Sequence, residues 1–210
     1  MDSSAAPRRE AQEDVERRIL SATAHLIAEQ GLGKLTIGAV CARSGYARAV
    51  VFQHFGDKES LAQKLVSYAT DEFAVLYAEA VAARSGSATA TPMDMLRALV
   101  DSIFELLTDM PVLFHAFLAL WGDSGADSSP VRPALTEVDR RFRFAIAQTV
   151  VAGVSDGSLI GVTDPDSYAS ALLGQLRGIS LQFVIDPTGV DLRGVRAEIE
   201  RGLDRLAVRD

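Results

Sequence analysis

Residues 36–61 read TIGAVCARSGYARAVVFQHFGDKESL and contain two short helical patterns that meet at a Ser-Gly-Tyr turn. Thr36 is a residue type that caps helix N-termini, because its hydroxyl accepts a hydrogen bond from a free helical N–H group. Gly45 ends the first pattern, since glycine tolerates the left-handed backbone of a tight turn. A third helical pattern follows Gly56 and Asp57. This arrangement predicts a helix-turn-helix, which lays its second helix in the DNA major groove.

The second of these helices, residues 47–55, is predicted to carry the DNA-reading surface. Val51 and Phe55 are four positions apart and are expected to face inward. Arginine suits guanine in the major groove, which makes the outward-facing Arg48 the leading candidate for reading a base. The residues expected to contact base edges are Arg48, Val50, Gln53 and His54. The residues expected to contact phosphates are Thr36 and Lys58.

The segment from Ile19 to Leu61 resembles the DNA-binding head of the tetracycline-repressor (TetR) family of bacterial regulators. The positions that match the family pattern are Ala22, Leu26, Ile27, Gly31, Thr36, Ile37, Val40, Gly45, His54, Phe55, Lys58 and Leu61. The family usually has serine or threonine at position 47, glycine at 49 and tyrosine at 52. This chain has Ala47, Ala49 and Phe52 instead. The resemblance implies phosphate contacts from the hydroxyl groups at 47 and 52, so their loss is expected to weaken sequence-independent binding.

After residue 57 the apolar spacing is helical almost throughout. Breaks rich in proline, glycine and aspartate divide this part into helices predicted at 57–84, 92–109, 111–122, 131–154, 164–185 and 190–207. The predicted fold is therefore all-α, with an N-terminal three-helix helix-turn-helix head and a C-terminal helical bundle. The predicted domains are a DNA-binding domain at 11–56 and a ligand-binding and dimerisation domain at 57–210. Residues 1–10 are predicted to form a disordered arm, either solvated or reaching a minor groove through Arg8 and Arg9.

Charge and composition set limits on location and partners. The net charge is −7, but residues 1–62 contain eight basic and eight acidic side chains, so the excess acidity lies outside the head. A neutral head predicts modest non-specific DNA affinity and a dependence on salt. The single cysteine, Cys41, cannot form an internal disulfide, which favours a cytoplasmic location. The longest stretch without charged residues, 110–122, is too short to span a membrane.

Aromatic side chains in the central helices raise the question of a small-molecule effector. Such helices resemble the walls of a family inducer pocket, which is mostly apolar with a few polar groups. The candidate ligand contacts are the aromatic residues Phe104, Phe114, Phe117, Trp121 and Phe142 and the polar residues Gln148, Gln175 and Arg177, whose positions are expected to lean inward. An aromatic residue at helical spacing also serves core packing, so both roles remain open for each. No metal-ligand pair occurs among the three histidines, and neither a metal nor a cofactor is predicted.

Residues 164–207 are predicted to contain a dimer interface. Ala169, Gly174 and Gly178 are small residues at near-helical spacing, and the last helix is amphipathic. In the family the last two helices pair with those of a second subunit, although the same helices could instead close the core of one subunit. A two-fold dimer also matches a palindromic operator.

Together these features predict a dimeric, ligand-responsive repressor that binds double-stranded operator DNA and is released by a small apolar inducer. Motifs for phosphate loops, dinucleotides, HExxH metals, CxxC pairs and GxSxG nucleophiles are missing from the sequence, so no enzyme activity or catalytic residue is expected. The alternative is a helical ligand-binding or protein-interaction module whose head has lost operator binding.

Overall fold

Helices account for nearly all the regular structure in the computed structural model, which describes the backbone of residues 5–207 and the side chains of residues 12–207. The α-helices in this range are α1 (Ala5–Gln30), α2 (Ile37–Ser44), α3 (Arg48–Phe55), α4 (Lys58–Ser85), α5 (Pro92–Asp109), α6 (Pro111–Asp123), α7 (Arg132–Ser155), α8 (Pro165–Ile185) and α9 (Leu192–Asp204). A short 3-10 helix, Leu32–Lys34, joins α1 to α2. The predicted all-α fold is confirmed.

Helix ends fall at the residues whose side chains can satisfy free backbone groups. Asp57 Oδ1 accepts the Ser60 N–H group at 2.7 Å and so caps α4. At the start of α5, Thr91 accepts the Asp94 N–H group while Asp94 accepts the Thr91 N–H group, which is a reciprocal capping box. Asp164 accepts N–H groups of the first turn of α8. For these three helices the predicted starts at 57, 92 and 164 therefore lie within one residue of those observed.

The N-terminus differs from the disordered arm that the sequence predicts. Helix α1 begins at Ala5, so residues 5–10 form its first turns. The physical reason is that alanine and glutamate favour helices, while a proline in the first turn costs no helical hydrogen bond. The side chains of Arg8 and Arg9, and their predicted reach to a minor groove, lie outside the described residues.

Packing divides the chain into two compact units. The first comprises the described part of Met1–Thr70 together with Val112–Leu135. Its buried side chains include Ile19, Ile27, Val40, Val51 and Leu61. Within it, the Gln63 side-chain amide donates a hydrogen bond to the Pro130 carbonyl at 2.8 Å. The first part of α4 and most of α6 therefore belong to the same unit as the helix-turn-helix, whereas the sequence divides the domains after residue 56.

The second unit comprises Asp71–Pro111 and the described part of Thr136–Asp210. Helix α9 packs along α5 and buries Ile199 and Leu203. A buried carboxylate, Asp101 on α5, accepts hydrogen bonds from two arginines, Arg84 on α4 and Arg196 on α9. The segment that follows α9 returns to the end of α7, where the Ile160 N–H group donates to the Leu206 carbonyl at 2.8 Å. Three helices of this unit thus meet at one buried charge.

Candidate nucleic-acid interface

The turn between α2 and α3 has the geometry that a helix-turn-helix requires. Thr36 caps α2, and its hydroxyl oxygen accepts the Ala39 N–H group at 3.1 Å. Gly45 ends α2 with φ 78°, a left-handed conformation that favours glycine. Ala47 is the N-cap of α3 and makes no side-chain capping bond. The hydroxyl hydrogen of Thr36 can still be donated to a phosphate oxygen, whereas Ala47 can offer only its backbone.

Helix α3 has one buried and one exposed face. Val51 is fully buried and Phe55 is 6% exposed. The exposed residues are Arg48, Ala49, Phe52 and Gln53. They occupy positions i, i+1, i+4 and i+5 and therefore share one side of the helix. Within the described part of the chain, the Arg48 and Gln53 side chains make no hydrogen bond or ion pair, so both can bind an external partner.

His54 does not belong to this face, although the sequence predicts that it contacts a base. Its side chain is 13% exposed, and Nδ1 lies 3.0 Å from Glu16 Oε1 on α1. The imidazole also lies against Phe55, with ring centroids 6.1 Å apart. The physical reason is that position 54 lies between the exposed and buried faces, where an acidic partner on α1 can draw the ring inward. Glu16 is 38 residues away in sequence, so helical spacing could not have indicated this pair.

Val50 and Lys58, two other predicted contacts, are half-buried. Val50 lies beside the exposed face of α3, where only part of its side chain is accessible. Lys58 is the first residue of α4, close in sequence to the end of α3. Its ammonium group makes no ion pair within the described residues and is positioned at a helix N-terminus, where anions are favoured.

A basic groove of about 620 Å³ lies along α1 in the same unit. Its lining residues are Arg17, Arg18, Ser21, Ala22, His25, Arg43 and Ser44. The arginines are already paired within the head: Asp14 lies 3.1 Å from Arg17 and 2.9 Å from Arg18. Glu29 lies 2.7 Å from Arg43, whose hydrogen bond lowers the pKa of Glu29. Asp14 and Glu29 therefore offset part of the positive charge of this groove, in agreement with the absence of net charge in the head.

The predicted effector contacts fall in both units. In the first, Phe114 is buried, and the rings of Phe117 and Trp121 lie 6.3 Å apart. In the second, Phe104 is buried, and Phe142 packs edge-to-face on Phe73 at 4.8 Å. These aromatic side chains are thus at least half-buried.

The sequence predicts that the three polar candidates lean inward, but two of them are exposed. Gln148 and Gln175 are exposed on the described chain, because the inward positions of their helices are taken by Ala147, Leu172 and Leu176. Arg177 is half-buried and donates a hydrogen bond to Asp139 at 2.5 Å. Its pKa is lowered by burial, which opposes the stabilising carboxylate. Of the three, only Arg177 lies within the body of its unit.

No single helix among the described residues is long and apolar enough to cross a membrane, although α5 and α6 taken together pass that test by length and composition.

Comparison with known proteins matches both parts of the chain. Residues 19–65 match the family described as "Bacterial regulatory proteins, tetR family". Residues 92–208 match the family described as "BetI-type transcriptional repressor, C-terminal". The chain is 23% identical over 205 residues to the HTH-type transcriptional regulator TtgR of Pseudomonas putida, and the match covers 94% of each protein.

Two solved structures share the fold. A TetR-family regulator from Rhodococcus superposes with a TM-score of 0.80 at 18% identity, covering 92% of this chain and 98% of the other. A transcriptional regulator from Saccharomonospora viridis, solved in complex with choline, superposes with a TM-score of 0.73 at 20% identity, covering 94% and 100%. With the second family match alone covering more than half of the residues, the chain belongs to the TetR family of transcriptional regulators, which are DNA-binding repressors and not enzymes.

Proposed function

We propose that this protein is a dimeric repressor that binds a palindromic operator through α3 and releases it when a small, mainly apolar effector binds. The exposed face of α3 is the observation that carries the proposal. This face offers the Arg48 guanidinium and the Gln53 amide, neither of which has a partner among the described residues, from a helix that follows a capped turn. In the major groove these groups suit guanine and adenine edges, respectively. Because such a repressor acts on DNA, we also propose a cytoplasmic location.

Selection from a random pool of duplex DNA by the purified protein, at near-physiological salt, tests this proposal. We expect enrichment of a palindrome whose half-sites lie about one DNA turn, roughly 34–36 Å, apart. Arg48→Ala is expected to cost about 1–3 kcal/mol and to relax the preference at one base pair. Arg193→Ala, which removes an exposed arginine from the second unit, serves as the matched control. If Arg48→Ala loses the same affinity for all DNA sequences, Arg48 contacts a phosphate and does not read a base.

The dimer rests on apolar side chains that one subunit leaves exposed. On α8, Leu181 is 50% exposed and Ile185 is 74% exposed. Gly174 and Gly178 precede them on the same side of the helix, and a side chain added at either would meet nothing within 4 Å. Helix α7 adds Phe144, which is 61% exposed. Exposed apolar surface of this kind is typical of an interface between subunits.

Helix α9 has a different role in the proposed interface. The sequence predicts that its amphipathic face joins the dimer, but Ile199 and Leu203 on that face are buried within their own unit. We therefore assign the apolar part of the proposed interface to α8, which lies within the predicted range 164–207, and to α7 beside it. The inner face of α9 is not part of this interface.

The effector proposal rests on the aromatic side chains and on what related proteins bind. One related structure contains choline, and another is described as a SmeT–triclosan complex. Both molecules are small and have apolar groups, and both are suitable first probes. Because Trp121 is the only tryptophan, its fluorescence reports on one position of the predicted ligand surface.

The fluorescence experiment has two arms. We expect one probe to change Trp121 emission in a saturable way, and operator DNA to weaken that binding by the factor by which the probe weakens DNA binding. Saturable thermal stabilisation without any change in emission would instead remove Trp121 from the ligand site.

The alternative function, a module that no longer binds an operator, is favoured by one observation. Neither Ala47 nor Phe52 supplies the hydroxyl group that the family usually has at these positions. Retention on specific and non-specific DNA at increasing salt separates the two functions. A sequence preference that persists at physiological salt supports the repressor, and equal, weak retention of both DNAs supports the module.

A further inference from the structure

An exposed phenylalanine interrupts the polar surface of α3. Phe52 is 61% exposed, whereas the other large apolar side chains of the helix, Val51 and Phe55, are buried. The core therefore does not use Phe52. Ala49 lies one turn earlier on the same exposed side, so Arg48 and Gln53 share their face with two apolar groups. Two apolar side chains on the exposed face of α3 favour contact with an apolar group of the bound partner.

Duplex DNA offers one apolar group on its major-groove edge, the C5-methyl group of thymine. We propose that Phe52, supported by Ala49, contacts thymine methyl groups and thereby selects thymine within the operator half-site. This inference rests on the proposed function, because it assumes that α3 lies in the major groove. It replaces the phosphate contact that a tyrosine would make at position 52 with a contact that depends on base sequence.

The spacing along α3 fits this assignment. Ala49 and Phe52 are three residues apart, which is about 4.5 Å along a helix axis. Successive bases on one strand are about 3.4 Å apart along the duplex. The two side chains thus reach the same or neighbouring base pairs. With Arg48 and Gln53 beside them, the expected half-site places thymine next to the guanine and adenine that the polar side chains read.

The experiment uses the full-length protein and the operator obtained by selection from the random pool. Each thymine is replaced in turn by deoxyuridine, which removes the methyl group and leaves every hydrogen-bonding edge intact. We expect wild-type protein to lose about fourfold in affinity at one or two positions of each half-site, the factor expected for one buried methyl-sized group. Substitution at the other thymines should leave affinity unchanged.

Variants identify the side chain responsible. Phe52→Ala removes an exposed side chain and is expected to fold, to bind the thymine operator more weakly and to lose the deoxyuridine effect. Gln53→Ala, on the same face, should bind more weakly and keep that effect. An unchanged deoxyuridine effect in Phe52→Ala would assign methyl recognition to another residue and overturn the inference.

Three further outcomes also decide the matter. Specific operator binding by wild-type protein with no deoxyuridine effect at any thymine would overturn the inference while leaving the proposed repressor intact. Selection without enrichment of any sequence would overturn the repressor itself, and the thymine contact with it. If Phe52→Tyr binds every DNA sequence more tightly by the same factor, and wild-type protein shows no deoxyuridine effect, residue 52 contacts the phosphate backbone and not a base.

Discussion

Removing the charge of Asp101 should destabilise the second unit more than any single change to a surface ion pair. The Asp101 side chain is 9% exposed, and Arg84 Nε donates to Oδ2 at 2.5 Å. Arg196 donates to Oδ1 from α9. The hydrogen bond to Asp101 raises the pKa of Arg84, so this arginine stays charged at all relevant pH values. Asp101→Asn keeps the size of the side chain and leaves two guanidinium groups facing a neutral amide.

The expected cost follows from the burial of the three groups. Removing one partner of a buried ion pair typically costs about 3–5 kcal/mol. Arg84 is 24% exposed and Arg196 38% exposed, and Glu200 Oε1 lies 3.6 Å and 3.4 Å from them. Water and Glu200 therefore recover part of the loss, which leaves about 2–3 kcal/mol. For a chain of this length that corresponds to a decrease in Tm of about 5–10 °C.

Thermal unfolding followed by circular dichroism measures this effect. The matched control is Asp204→Asn, because Arg97–Asp204 also joins α5 to α9, at 2.5 Å, but its carboxylate is 52% exposed. That exposed pair is expected to contribute less than about 1 kcal/mol. Equal Tm shifts in Asp101→Asn and Asp204→Asn would refute the reasoning, because burial would then make no difference to the strength of the interaction.

Three other changes test separate features. Thr91→Ala should cost about 1 kcal/mol by removing the α5 cap. The hydrogen bond from the Thr91 hydroxyl is the main cause of the lowered pKa of Asp94. Asp94 therefore contributes stability above about pH 4, and this contribution is lost as the pH falls through the pKa of Asp94 in the folded protein. Denaturant titrations between pH 3 and 7 should therefore show a weaker acid dependence in the variant, and an unchanged one would argue against the capping box. Gly153→Ala should lower the free energy of unfolding by about 1–2 kcal/mol, because the added Cβ would lie 2.5 Å from Leu159 Cδ1. The control Gly122→Ala, whose added Cβ would meet nothing within 4 Å, should be neutral or stabilising. A Gly153→Ala protein as stable as wild type would show that Leu159 can move away. If the protein forms the proposed dimer through α8, Ile185→Glu should halve the mass measured by light scattering, while Val75→Glu, which changes an exposed valine on α4, should leave it unchanged. A dimeric mass for Ile185→Glu would exclude α8 from the interface, and a monomeric mass for wild type would overturn the proposed dimer.

Local sequence patterns predict most of the secondary structure because many helix ends carry a chemical signal of their own. Gly45 and the Thr91–Pro92 pair mark turns and caps that depend only on neighbouring residues. The same holds for Arg48, Ala49 and Gln53 of α3, whose exposure follows from the burial of Val51 and Phe55 on the opposite side of the helix. A short amphipathic helix leaves little freedom once its inner face is known.

Features that depend on distant partners could not be obtained in this way. The inward turn of His54 requires Glu16 on another helix, and the packing of most of α6 with the helix-turn-helix unit requires contacts more than 40 residues away. Periodicity indicates a helix face only to within a residue, so it does not distinguish the exposed positions of Gln148 and Gln175 from the inward positions beside them. Neighbouring apolar side chains on α7 and α8 fill the inner positions instead.

The internal ion pairs of the head have a consequence for how rapidly a regulator finds its target in a cell. Arg17, Arg18 and Arg43 are engaged by Asp14 and Glu29, so they attract arbitrary phosphates less than free arginines would. Fewer copies are then sequestered on the rest of the chromosome, and a larger share diffuses freely. For the proposed repressor, a small number of molecules can then keep one promoter occupied, at the expense of the sliding along DNA that accelerates the search of more basic repressors.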